Sequence, residues 1–394
     1  MKHCLPLLWV VLACLAVPAA ATTETVADSL RVSLITCGPG NVTYEVYGHT
    51  AIRVKNTRSG EDWTFNYGVF DFRRPHFLWR FVLGETDYQL GVAPFDYFIE
   101  EYAKEGRYVD EQVLNFTGEE KVRLYNMLAL NYLPENRVYR YNFFNKNCTT
   151  QARDMLEGAV GGVIVWPVNP PRSYRDILHQ YTKEKRWLQF GQDLLIGTEA
   201  DQALDTRGQD FIPLLLERDL AQALIVDSAG NRRPAVAATH RWTEQVADAP
   251  GQGWLTPWKA TVAWFVLALG VAIAQIVTRR NWWWFDAPFL ALQGVAGCVV
   301  TFLFLTSTHP GVDSNWLIAV LNPLPLLYLP WEIRNARHRR RDAYHMIAPV
   351  VIWAFTLLSP LPGQAVPGEL LWFINGLALL SVARMKLAHP YRKK

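Results

Sequence analysis

Cysteine is scarce in this chain of 394 residues, with five in all. Cys4 and Cys14 fall in the opening apolar stretch and Cys298 in a later one, which leaves Cys37 and Cys148 for everything between. There is no Cys-x-x-Cys motif, and no cysteine–histidine pairing has zinc-site spacing, so no metal is expected, and no cofactor. Internal repeats and low-complexity tracts are absent too. A large charge of one sign is also missing: 39 Lys and Arg stand against 36 Asp and Glu. The small basic excess lies at the ends of apolar segments, so there is no nucleic-acid footprint, although the arginines have the chemistry to hold anionic lipid head groups.

What the chain has in quantity is apolar sequence, 50% of residues, unevenly spread. MKHCLPLLWVVLACLAVPAAA starts with Lys2 and His3, runs apolar over 5–17 and ends on the small residues Ala19 and Ala21. That is the layout of a secretory signal peptide over 1–21, with the mature chain starting near Thr22. An uncleaved anchor helix and a lipoprotein processing site are the other readings, but Cys14 lies inside the apolar run rather than at its end.

From Trp258 onward five apolar segments, 258–278, 285–307, 315–332, 343–359 and 366–384, approach the roughly 20 residues that span a bilayer core. The third carries Pro323, Pro325 and Pro330 and the fourth is short; proline is tolerated where neighbouring helices satisfy the freed carbonyls. Trp282–Trp284 reads as an interfacial belt. Arg279 and Arg280, the run RNARHRRR, and the cluster from Arg384 to Lys394 sit between or after these segments, whereas HPGVDSN and SPLPGQAVPGE carry no Lys or Arg. The positive-inside rule therefore puts the basic loops and the C-terminus in the cytoplasm and residues 22–257 on the other side, in agreement with an export signal.

Within the exported part, 30–36, 50–55, 63–72 and 108–116 read as strands, with CGPGN a turn between the first two. Thr117-Gly118-Glu119-Glu120 fits a capping box, and apolar spacing predicts a helix after it. VYRYNFF reads as a short strand and TTQARDMLEGAV as a helix, closing a compact α+β unit over 22–162. Over 163–257, a Pro-rich loop enters a helix at SYRDIL, DFIPLLLERDLAQALIV suggests one amphipathic helix, and HRWTEQVADAPGQGW a juxtamembrane linker.

FNKNCTTQARDML places Cys148 where loop turns into helix. If Asn147 or Asn145 caps that helix, the thiol lies among unpaired N–H groups and the positive end of the dipole, which favour the thiolate nucleophile. A base is needed, and His49, His76, His179 and His240 are available. His49, between Gly48 and a strand, would project from a rigid element. The aromatics Trp63, Phe65, Tyr67, Phe70 and Phe72 read as core, and Trp79 and Phe81 as a satellite core or acyl-chain contacts. Arg137, Arg140 and Arg153 are surface residues or head-group ligands.

RVSLITCGPGNVTYEVYGHTAIRVKN, TFNYGVFDF, EQVLNFTGEEK, LPENRVYRYNFFNKNCTTQARD and the multi-helix tail together resemble the Bacteroides-type lipoprotein N-acyltransferase family, Lnb. The order of a strand histidine followed by an Asn-Cys helix start also resembles the permuted NlpC-like and lecithin:retinol-acyltransferase-like thiol enzymes. The resemblance implies a small antiparallel sheet packed on helices, followed by an all-α bundle of about five transmembrane helices. It implies Cys148 as nucleophile, with its own backbone N–H as an oxyanion donor, and His49 as general base. Asn66, Glu45 and Asp71 are candidates for the orienting group, and Cys37 lines or assists the site. A phospholipid would be the acyl donor and a diacylglyceryl apolipoprotein the acceptor, at a bacterial inner membrane with the thiol domain in the periplasm. Two rivals remain: a tethered thiol peptidase or amidase acting on cell wall, and a non-catalytic envelope-binding module held by a Cys37–Cys148 disulfide.

Overall fold

A computed structural model describes residues 27–70, 75–246 and 253–388. The signal segment over 1–21 and the candidate Asp71 lie outside the described residues. β1 (Leu30–Cys37) pairs antiparallel with β2 (His49–Asn56) along its whole length, Cys37 opposite His49. β3 (Asp62–Val69), β4 (Asp87–Pro94), β5 (Val109–Leu114), β6 (Val138–Arg140) and β12 (Val236–Thr243) complete a seven-stranded sheet in the order β12-β5-β1-β2-β3-β4-β6.

The two faces of β1 follow its alternation. Val32 and Leu34 join Ile52, Val54, Phe65 and Tyr67 in the main core, which is closed by α3 (Gly118–Tyr132) and α4 (Cys148–Ala159) through Leu124, Leu128 and Leu156. Ile35 and Cys37 turn the other way, onto α2 (Phe95–Lys104), whose Phe95, Phe98 and Tyr102 fall on one helical face. The capping box is present: Thr117 accepts from the Glu120 N–H while Glu120 accepts from the Thr117 N–H.

On the α2 side the sheet buries a charge network. Arg53 donates to Asp62 at 2.8 and 2.6 Å and to Glu111 at 3.0 Å, and Glu111 also accepts from Ser33 at 2.6 Å and Trp242 at 3.0 Å. Three strands and β12 are thereby pinned to one carboxylate. Removing one partner of a buried pair strands the other, so Arg53→Ala is expected to cost about 3–5 kcal/mol. The readout is a clearly lowered apparent Tm of the detergent-solubilised protein, and an unaltered Tm would contradict it.

The boundary expected at residue 162 is not a structural one. β7 (Gly162–Val165) pairs with β10 (Leu224–Asp227), which pairs with β11 (Arg232–Pro234), and β12 then returns to the main sheet beside β5. The segment read as a linker from His240 is in part sheet edge; β12 is exposed along most of its length, so no apolar alternation marked it. DFIPLLLERDLAQALIV is likewise not one helix: α8 (Pro213–Leu220) ends and β10 follows. Between these lie α5 (Tyr174–Thr182), α6 (Arg186–Leu195), the short pair β8 (Arg172–Ser173) and β9 (Ala203–Leu204), and α7 (Thr206–Gln209).

α9 (Pro257–Thr278), α10 (Trp283–Thr306), α11 (Leu324–Arg337), α12 (Ala343–Leu358) and α13 (Gly368–Leu387) form a helical bundle. Among the described residues four spans are long and apolar enough to cross a membrane, the third combining a 3-10 turn at Trp316–Ala319 with α11, and α12 is a shorter apolar helix. Pro323 and Pro325 sit at the start of α11, where a missing N–H is harmless, and Pro330 lies inside the helix without ending it, so the third segment runs on to Arg337 instead of ending near 332. α10 meets it closely: a Cβ on Gly297 would lie 2.2 Å from Asn322 O.

The loops without Lys or Arg face the sheet domain. Ser314 O accepts from Thr198 N–H, and Gln364 donates toward Ile196 O. The basic run after α11 is at the other end of the bundle. There Glu332, His345 and Arg384 are all at most 2% exposed, with Glu332 Oε1 3.5 Å from His345 Nε2 and 3.7 Å from Arg384 Nε.

Candidate active site

Asn147 builds the start of α4. Its Oδ1 accepts from the Thr149 and Thr150 N–H groups at 2.8 and 2.9 Å, and Thr150 Oγ1 accepts from the Asn147 N–H at 2.8 Å. Its Nδ2 donates to Phe143 O at 2.7 Å and Phe211 O at 2.9 Å, so every polar atom of the amide is used. Asn145 instead accepts from the Tyr174 hydroxyl. With the next two N–H groups taken by the cap, the Cys148 N–H is the remaining donor at the first turn.

β2 delivers His49 to this point. Gly48, at φ 82°, makes the turn into the strand, where a Cβ would come within 2.6 Å of Cys37 O. His49 Nε2 lies 2.6 Å from Asn66 Oδ1. An amide oxygen only accepts, so Nε2 donates to it and Nδ1 is left to take up or give up a proton. The Tyr102 ring stacks on the imidazole, with centroids 6.3 Å apart and planes 11° from parallel.

β3 makes room for the thiol. Its register slips between Asn66 and Val69, and Gly68 sits in the bulge at φ 92°. A Cβ there would stand 3.8 Å from Cys148 Cβ and 4.0 Å from His49 Cε1, which puts Gly68 alongside both groups.

The electrostatics favour charge separation. Burial pushes the Cys148 thiol up, but the His49 charge and hydrogen bond, the Thr50 N–H and the Thr149 hydroxyl outweigh it and bring the pKa down to about 7. For His49 burial acts downward and is outweighed by the Cys148 charge and hydrogen bonds to Cys148 and Asn66, so its pKa is raised. Both shifts run in the direction that favours a thiolate beside a protonated imidazole.

Of the other candidates, Glu45 faces Arg107, 3.9 Å away, rather than the imidazole. Cys37 is fully buried and unlinked, and burial pushes its thiol far up, with Arg107 and a Tyr102 hydrogen bond acting weakly against it. It lies behind the site, and Cys37 and Cys148 are both free thiols in the structure, where the binding-module reading expects a disulfide. Arg140 is paired with Asp87, and Arg153 with Asp154 and Arg207 O, so neither is a free head-group ligand.

Sequence reading missed Tyr102, Arg107 and Gly68. Arg107 donates to Gly38 O at 2.8 Å and lies over the Tyr102 ring, tying the CGPG turn to the far end of α2. A glycine inside an aromatic strand is a bulge signal, so Gly68 was within reach; Tyr102 and Arg107 act through partners distant in sequence.

The pair opens on a cavity of about 350 Å³ lined by Phe70, Phe81, Tyr141, Phe143 and Phe211. Such a site sets a helix-start cysteine against a strand histidine in an α+β domain docked on a bundle of apolar helices. Residues 17–189 match the Lnb N-terminal periplasmic domain and 249–394 the Lnb transmembrane domain; the chain belongs to the Lnb family. No curated protein and no solved structure matches it. Membership makes it a multi-pass inner-membrane protein with a periplasmic domain, and supports a role of the lipoprotein N-acyltransferase type.

Proposed function

We propose that this protein transfers an acyl chain from a membrane phospholipid to the α-amine of the diacylglyceryl-cysteine of lipoproteins, through a thioester on Cys148. The observation that carries the reading is the placement of helix-start Cys148 and strand-borne His49 together in the wall of a largely aromatic cavity.

In the first half-reaction Cys148 Sγ attacks the ester carbonyl carbon. The C–S bond forms, the glycerol C–O bond breaks, and the His49 imidazolium gives its proton to the leaving oxygen, so a lysophospholipid departs. In the second the acceptor amine attacks the thioester, the C–N bond forms, the C–S bond breaks, and His49 takes the amine proton. The starting ion pair is restored. The Cys148 N–H would hold the oxyanion in both tetrahedral intermediates. Asn66 is a positioning residue, keeping Nδ1 toward the thiol.

The basic loop and the end of α13 lie away from the sheet domain, which supports a cytoplasmic C-terminus. A cell-wall amidase or peptidase would need polar groups to bind muropeptides, and the aromatic cavity lining speaks against it. Reconstitution with phospholipid and a diacylglyceryl peptide is the test. Equal amounts of N-acyl peptide and lysophospholipid are expected; cleavage of muropeptide with no lipid product would overturn the reading.

A further inference from the structure

A second, larger cavity of about 890 Å³ adjoins the first. Leu78, Phe81 and Phe143 line both, so only these side chains stand between the second cavity and the one that holds Cys148. The second is enclosed by the sheet domain on one side, including Leu195 and Ile196, and by Val299, Phe302 and Leu303 of the membrane helix α10 on the other. Among the described residues no Asp, Glu, Lys or Arg lines it, and Gln192 and His309 are its polar members.

Its roof is α1 (Phe77–Val82), which joins β3 to β4 and is fixed to the bundle. The carbonyls of Phe81, Val82 and Leu83 accept from His309 Nε2, Ser307 Oγ and the Thr308 N–H at 2.6, 2.9 and 2.8 Å, so the loop after α10 supplies this helix end with the partners it lacks. Trp79 packs on Phe302, with centroids 5.3 Å apart. Leu78 and Trp79 nonetheless remain 74% and 56% exposed, and Val299 49% exposed, so the cavity mouth presents apolar side chains at the level of the membrane helices.

We infer that this cavity seats the acyl chain of the donor phospholipid, drawn from the bilayer between α1 and α10, with the ester passing Leu78 and Phe81 to reach Cys148. The inference rests on the acyltransferase reading for its chemistry but on the cavity for its place. A peptide or sugar would leave its polar groups unpaired in such a lining, whereas a hydrocarbon chain leaves one apolar medium for another. The site therefore selects chains by length and shape.

Two measurements on the full chain in bilayers test it. First, Cys148→Ser is irradiated with a phosphatidylcholine carrying a diazirine at the end of one acyl chain, and labelled peptides are mapped. Label on both Leu195–Ile196 and Val299–Leu303 is expected; label on α9 and α12 without α6 would overturn the inference. Second, Val299→Trp is expected to lower the ratio of long-chain to short-chain thioester on Cys148 at least about tenfold, and an unaltered ratio would overturn it. Cross-linking in the cavity with no thioester on the wild type would leave the site standing and sink the acyltransferase reading. The reverse pair of results would do the opposite.

Discussion

Cys148→Ser is expected to lower acyl transfer by at least about ten-thousand-fold, the scale of losing a covalent nucleophile. Serine is nearly isosteric and leaves the Asn147 cap untouched, so the fold should survive. What it removes is the ionisable group: the His49 pair brings a thiol to about 7, and no comparable influence brings a hydroxyl near neutrality. Cys37→Ala serves as the contrast. That thiol is buried, neutral and outside the proposed chemistry, so acylation of Cys148 should persist in it. Activity remaining in Cys148→Ser, or lost only in Cys37→Ala, would reassign the nucleophile.

His49→Ala carries the second large effect, a fall of about 100- to 10,000-fold in turnover, as expected for general acid–base catalysis. The sharper readout is the pH dependence of Cys148 alkylation. In the wild type the rate should fall to half of its plateau near pH 7 as acid protonates the thiolate; without the imidazole burial is no longer outweighed, and the midpoint should move up to the ordinary thiol value of 9.0 or beyond. The sign follows from the charge: an adjacent imidazolium favours the thiolate, so its loss raises the pKa. Asn66→Ala should shift the same profile by less, because it frees the ring without removing it. An alkylation midpoint indifferent to His49 would mean that the two side chains do not form the pair.

The strands that build the site were legible because local rules agreed there. β1, β2 and β5 carry β-branched and apolar residues between turn clusters, and Thr117-Glu120 and Asn147 mark helix starts by side chains that cap their own backbone. β12 was not legible, since an exposed polar edge strand has no apolar period and is fixed by pairing with β5 from more than a hundred residues away. α1 and α2 are short, and each owes its place to a distant partner: α10 for Trp79, the β1–β2 face for Phe95 and Phe98. In the site, Cys148 and His49 were nominated as residue types in suitable local settings. Their meeting, and the roles of Tyr102, Arg107 and the Gly68 bulge, depend on a sheet register that no local pattern contains.

The thioester itself is the most direct test. Purified wild type and Cys148→Ser would be incubated with bilayers of one defined phospholipid and weighed intact by mass spectrometry before and after hydroxylamine. An added mass of one acyl chain on the wild type alone, removed by hydroxylamine and matched by released lysophospholipid, is the expected result. A wild-type protein that never gains an acyl group, with Cys148 free and alkylatable, would contradict the proposed chemistry.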